Sequence, residues 1–190
     1  AVFGQGNIHA RNCVFENNSA RSFGGVAADL NWTVVNCKFT NNRSDYNGGV
    51  AFAGIWNVRN TVFKGNSAAS NGGVAQKGSW NIKNSIFEGN SSTQGGVMSQ
   101  VTTDALNCSF ISNTSETDSS IAFFGEWSAL NCTFAKNQSR NSPVLGSYGI
   151  WTIKNNIVYG NYNSDQQNTF LFSDSNIFST ENTTPTSNSV

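Results

Sequence analysis

The sequence predicts an all-β parallel solenoid of about seven coils of about 24 residues, each built from three short strands, and three observations predict it. A large apolar landmark recurs at a fixed interval: Phe15, Phe39, Phe63, Phe87, Phe110, Phe134 and Val158 follow one another at steps of 24, 24, 24, 23, 24 and 24. Asparagine keeps the same register, three residues before each landmark (Asn12, Asn36, Asn60, Asn84, Asn107, Asn131, Asn155) and three after it (Asn18, Asn42, Asn66, Asn90, Asn113, Asn137, Asn161). A Gly-Gly-Val step completes the unit at Val26, Val50, Val74 and Val97, degrading to Ser119, Ser120, Ile121 and to Pro143, Val144, Leu145.

Each element of a coil has its own reason. A helical repeat would show two stripes at a spacing of 3.6, whereas here three short apolar segments alternate with Gly, Asn and Ser. In the second coil the predicted strands are 26–30, 32–34 and 37–39, with Asn41, Asn42, Asn47 and Gly48 as turn formers. Period-two alternation sends Cys37 and Phe39 to one face and Lys38 to the other, so Phe39 faces the core. Asparagine tolerates left-handed turns, and its amide can bond the asparagines above and below. Glycine suits the tight corner before Val26. A tryptophan row, Trp32, Trp56, Trp80, Trp127 and Trp151, with Ile8 and Thr103 as exceptions, shares parity with Val34 and Val58 and is expected in the core; a sugar-stacking platform is the alternative.

Composition narrows the class. Only 12% of residues are charged, and 11 Lys plus Arg balance 11 Asp plus Glu; an ordinary globular chain carries about 25%. Such a chain lacks the basic footprint of a nucleic-acid partner, and no apolar run reaches the roughly 20 residues of a membrane span. Polarity comes instead from 29 Asn and 25 Ser. The start of the sequence has no basic and apolar signal regions. Residues 1–178 are read as the solenoid and 179–190 as a Ser/Thr/Asn-rich tail with Pro185, with Phe170, Leu171, Phe172 and Asn176, Ile177, Phe178 as a shortened closing coil. Ala1 and Val2 fall at the Gly25 and Val26 register without a polar cap, which points to a segment of a longer protein or a unit that stacks on others.

Repeated Phe-x-x-Asn (Phe39 to Asn42, Phe87 to Asn90) alternating with Gly-Gly-Val, often introduced by Asn-Cys-x-Phe, resembles the repeats of chlamydial polymorphic outer-membrane proteins and related β-helical adhesins over about residues 1–161. The resemblance implies a right-handed, single-stranded parallel β-helix of passenger type, extracellular or at the cell surface, with an adhesive or structural role and no cofactor. Two departures stand out: Val26, Val50, Val74 and Val97 replace the family's usual Ala, and no membrane-barrel segment follows.

The rival is an enzyme, since pectate lyases and polygalacturonases share the scaffold, and their chemistry needs carboxylates gathered on neighbouring coils. On the 24-residue grid Asp29 shares its row with Ala53 and Lys77, Glu16 with Thr40 and Lys64, and Glu88 neighbours Lys64. Asp104 and Glu126 come nearest to a pair, two row positions apart on adjacent coils. His9 is the single histidine and has no triad or zinc partners. A non-catalytic module is therefore expected. It would bind a surface glycan or receptor, or, as the alternative, copies of itself as a fibre or coat subunit.

Three further groups of residues are candidates for modification or contact. Cys13 lies under Cys37 and Cys108 under Cys132, at a spacing that admits disulfides and equally admits buried free thiols. Nine sequons occur, at Asn17, Asn31, Asn42, Asn90, Asn107, Asn113, Asn131, Asn137 and Asn182; those in the ladder after Phe should face inward, which leaves Asn31 and Asn182 as the better glycan carriers. A small, uncharged row, Ala27, Ala51, Ala75, Met98 and Ala122, is read as an outward strip for lateral assembly.

Overall fold

A computed structural model describes residues 2–140 and 143–163, with the backbone of three short strands beyond them, Phe172–Ser173, Asn176–Ser179 and Thr184–Pro185. The described residues hold no helix, and strands one coil apart pair in parallel: Trp56 stands opposite Trp80, and Phe63 opposite Phe87. Three sheets of 14, 8 and 7 strands run along the axis. In the second coil the strands are Ala27–Ala28, Asn31–Val35, Lys38–Thr40 and Arg43–Ser44.

Two details differ from the sequence reading. The first two strand segments belong to one sheet, because in later coils they fuse into single strands, Ala122–Leu130 and Gly146–Lys154. The third sheet comes from Arg43–Ser44 and its counterparts, which carry no apolar signal and read as turn. The missing residue of the 23-residue step falls in the loop around Thr93: Ser67 pairs with Ser91 at the full interval, whereas Asn71 bridges Gln94. A deletion outside every strand leaves all registers intact. Phe172–Ser173 and Asn176–Ser179 pair with Gly146–Lys154, and Thr184–Pro185 pairs with Ile157–Val158 within the segment read as tail.

Corners explain the asparagines before Phe. Asn12, Asn36, Asn60, Asn84, Asn107, Asn131 and Asn155 have φ between 50 and 55°, the left-handed turn at the end of each long strand. Asparagine enters that region at little cost. A second corner takes Asn17, Asn41, Gly65, Gly89, Ser112, Lys136 and Gly160, also at positive φ. At the third, Gly24 is left-handed and a Cβ there would strike the Ala27 carbonyl oxygen; at Gly25 a Cβ would strike the carbonyl oxygens of Gly49 and Arg43.

The asparagines after Phe do different work. Each side-chain Nδ2 donates to the Oδ1 of the asparagine one coil on, at 2.9–3.0 Å from Asn18 through Asn161. The same Oδ1 accepts the preceding asparagine's backbone N–H, for example Asn66 N to Asn90 Oδ1 at 3.0 Å. The second Nδ2 proton goes to the Phe carbonyl of the coil before, Asn90 to Phe63 at 3.0 Å. Asn42, Asn66, Asn90, Asn113 and Asn137 are fully buried, so these saturated amides line the core without orphaned polar atoms.

Beside this ladder, Phe15 to Phe134 stack at 4.6–5.0 Å. The tryptophans stack in a second pile, Trp56 on Trp80 at 4.7 Å and 1°, and meet the phenylalanines edge-on at 5.5–6.4 Å. All five tryptophans are buried, as their parity requires.

The row Ala27, Ala51, Ala75, Met98 and Ala122 corrects the outward strip: every member is at most 2% exposed. The chain turns at the residue before each of them, Val26, Val50, Val74, Val97 and Ile121, so that residue and the next both point inward and simple alternation fails. Their smallness has a cause. The row lies against the tryptophan five residues on, as Gly146 shows, where a Cβ would collide with the Trp151 ring. The coil with Thr103 at the tryptophan position holds Met98 in place of Ala, and Thr103 Oγ1 reaches Met98 Sδ at 3.4 Å. Large and small have changed places with the space kept filled.

Candidate binding surface

The four cysteines are free thiols in this structure, and their row explains them. Thr61 Oγ1 donates to Arg59 O at 2.8 Å and Ser85 Oγ to Lys83 O at 2.9 Å; Cys37 and Cys108 Sγ make the same bond to Val35 O and Leu106 O at 3.3 and 3.2 Å. Each of these side chains also accepts a backbone N–H from the coil before where one is present, as Cys108 N reaches Cys132 Sγ at 3.4 Å. The thiol thus substitutes for a hydroxyl in a ladder. Burial pushes the Cys37 thiol up. Cys132 is held up first by the hydrogen bond it shares with Cys108 and then by burial.

Acidic side chains are dispersed. Asp104 and Glu126 are both exposed, on opposite flanks of the Thr103–Trp127 pair. Lys64 and Glu88 form an ion pair at 2.9 Å, as their shared row predicts. His9 is exposed on the outer face of the first sheet, in a shallow cleft with Asn7, Asn31, Thr33 and Asn57. Among the described residues no three His, Cys, Asp or Glu side chains gather in a way that would hold a metal ion.

The sequons divide by row. Asn42, Asn90, Asn113 and Asn137 are the buried ladder amides, and an attached glycan would break two coils of hydrogen bonds. Asn17, Asn31, Asn107 and Asn131 are exposed. Asn182 lies outside the described residues.

One row escaped the sequence reading. A fourth left-handed position interrupts the first sheet in six successive coils, occupied by Asp29, Ala53, Lys77, Gln100, Phe124 and Tyr148 with φ between 54 and 61°. The other corner rows are occupied mostly by Asn or Gly, with Ser112 and Lys136 as exceptions; in this one, none of the six is either. Five of the six are exposed and Ala53 is half-buried, so the row makes a ridge along the axis with coils about 4.8 Å apart. A side chain in this conformation costs about 1–2 kcal/mol per residue, and for a bulky ring it is an outlier.

Aromatic rings crowd both parts of the ridge. Phe124 and Tyr148 stack at 5.2 Å and are 43% and 46% exposed, with Phe123 against them at 4.6 and 5.8 Å. Farther along, Phe23 packs on Phe52 at 4.3 Å and on Tyr46 at 5.8 Å, and Lys77 Nζ stands 5.5 Å above the Phe52 ring. The signal was present in sequence as the residue before Gly54, Gly78, Gly125 and Gly149, a row with no Asn in a chain full of it.

No family model, no curated protein and no solved structure matches the chain.

Proposed function

We propose that the protein is a non-catalytic, extracellular surface module whose solenoid presents an adhesive ridge to a glycan or receptor. One observation carries the reading: exposed aromatic rings, Phe124 and Tyr148, sit at strained left-handed positions that folding would fill better with Asn or Gly. Strain of this kind is retained where a side chain has a task other than stability, and exposed aromatic clusters mark binding surfaces. The resemblance of the Phe-x-x-Asn and Gly-Gly-Val repeats to β-helical adhesins supports the same role and location. Dispersed acids and a single exposed histidine give the enzyme reading no comparable support.

Variants Phe124→Asn and Tyr148→Asn test it. Each should raise the unfolding free energy by about 1 kcal/mol, because Asn relieves the left-handed strain, while a glycan array that responds to the native protein loses its signal with the double variant. Unchanged array binding would overturn the ridge as the adhesive surface.

A further inference from the structure

On the outer face of the first sheet, Arg59 and Lys83 stand directly opposite each other in register on neighbouring coils. Like charges so placed repel, with backbones about 4.8 Å apart. Neither forms an ion pair: the ion pairs between described residues are Arg43 with Asp45 and Lys64 with Glu88. The two cations line a cleft of about 410 Å³ together with Thr33, Asn57 and Asn81. Asn57 and Asn81 are themselves paired in register two residues earlier.

Every polar side chain of that lining is a hydrogen-bond donor, and none is a carboxylate. The nearest acid in the register is Asp104, beside Asn81 and on the far side of Lys83 from Arg59. In a chain with 12% charged residues and zero net charge, two adjacent unpaired cations are not a by-product of a basic surface. Val35 and Leu106 bound the row on either side, Val35 opposite Arg59 and Leu106 opposite Lys83, so the positive site is discrete.

We propose that this cleft binds an oxyanion, the sulfate or carboxylate group of a linear acidic polysaccharide. The Arg59 guanidinium offers a planar fork to such a group and the Lys83 ammonium a point charge; an anion between them turns their repulsion into attraction to a shared partner. Asn57, Asn81 and Thr33 supply neutral donors to adjoining hydroxyls. A discrete site in an open cleft fits a polymer with spaced charges better than the dense phosphates of nucleic acid. The proposal rests on the adhesive reading and adds a ligand chemistry away from the aromatic ridge.

Fluorescently labelled dextran sulfate, polygalacturonate and neutral dextran of matched length, with a thymidine oligonucleotide, are titrated with the protein and with Arg59→Gln/Lys83→Gln. The native protein should bind one of the two acidic polymers at least tenfold more tightly than dextran, the double variant should lose at least tenfold, and Lys64→Gln should stay within twofold. The acidic polymer preferred identifies the oxyanion. No preference over dextran, an unchanged double variant, or an equal loss in Lys64→Gln overturns the site, and tighter binding of the oligonucleotide overturns the polysaccharide as its ligand. Loss of array binding in the ridge variants, with acidic-polymer binding retained, separates failure of this site from failure of the adhesive reading.

Discussion

Replacing Asn90 by alanine is expected to lower the unfolding free energy by about 4 kcal/mol, whereas Asn84→Gly, six residues earlier, leaves it within about 0.5 kcal/mol. Asn90 makes four hydrogen bonds through its amide: its Oδ1 accepts from Asn66 N and Asn66 Nδ2, and its Nδ2 donates to Phe63 O and Asn113 Oδ1. Alanine strands the partners in a fully buried position, where each lost bond and each orphaned group weighs about 1 kcal/mol or more. For a chain of this size that corresponds to a fall in Tm of about 10 °C. Asn84 is exposed at φ 51°, a conformation glycine adopts freely. Urea unfolding of both variants checks the contrast, and equal effects would refute the division of labour between the two asparagine rows.

The exchange of sizes at Met98 and Thr103 leads to the second large effect. Met98→Ala should lower stability by about 3 kcal/mol, since the fully buried side chain leaves a cavity that its neighbours fill only partly. Thr103→Trp alone should be destabilising through overpacking against Met98. Combined, the two changes reproduce the alanine and tryptophan pairing of Ala75 with Trp80 and Ala122 with Trp127, and the double variant should recover most of the loss. A double-mutant cycle from thermal unfolding reads the coupling directly. Additive penalties would show that the two side chains do not share one space.

The period, the parallel solenoid and the inward Phe, Trp and Asn rows were legible because the landmarks repeat at an interval that stacking alone explains. Lys64 with Glu88 followed from the same grid. Three features were hidden for physical reasons. Arg43–Ser44 and its counterparts form a sheet from two-residue strands whose side chains carry no apolar alternation. Ala27 and its row looked outward because alternation was counted through a corner, where the chain turns at Val26 and resets the parity. The ridge from Asp29 to Tyr148 was hidden because a left-handed position is recognised by Asn and Gly, and this row has neither. What departs from local rules there is also what the proposed adhesive role would use.

The central claim is that chemically identical residues are sorted by row, some to build the solenoid and some to meet solvent. Exchange of the asparagine side-chain amides, followed by ¹⁵N-edited spectra in D₂O, tests it most directly. The Nδ2 protons of Asn66, Asn90, Asn113 and Asn137 should exchange only when the whole chain unfolds, while those of Asn12, Asn36, Asn60 and Asn84 should be gone in the first spectrum. Rapid exchange of both rows would contradict the buried ladder and the sorting built on it.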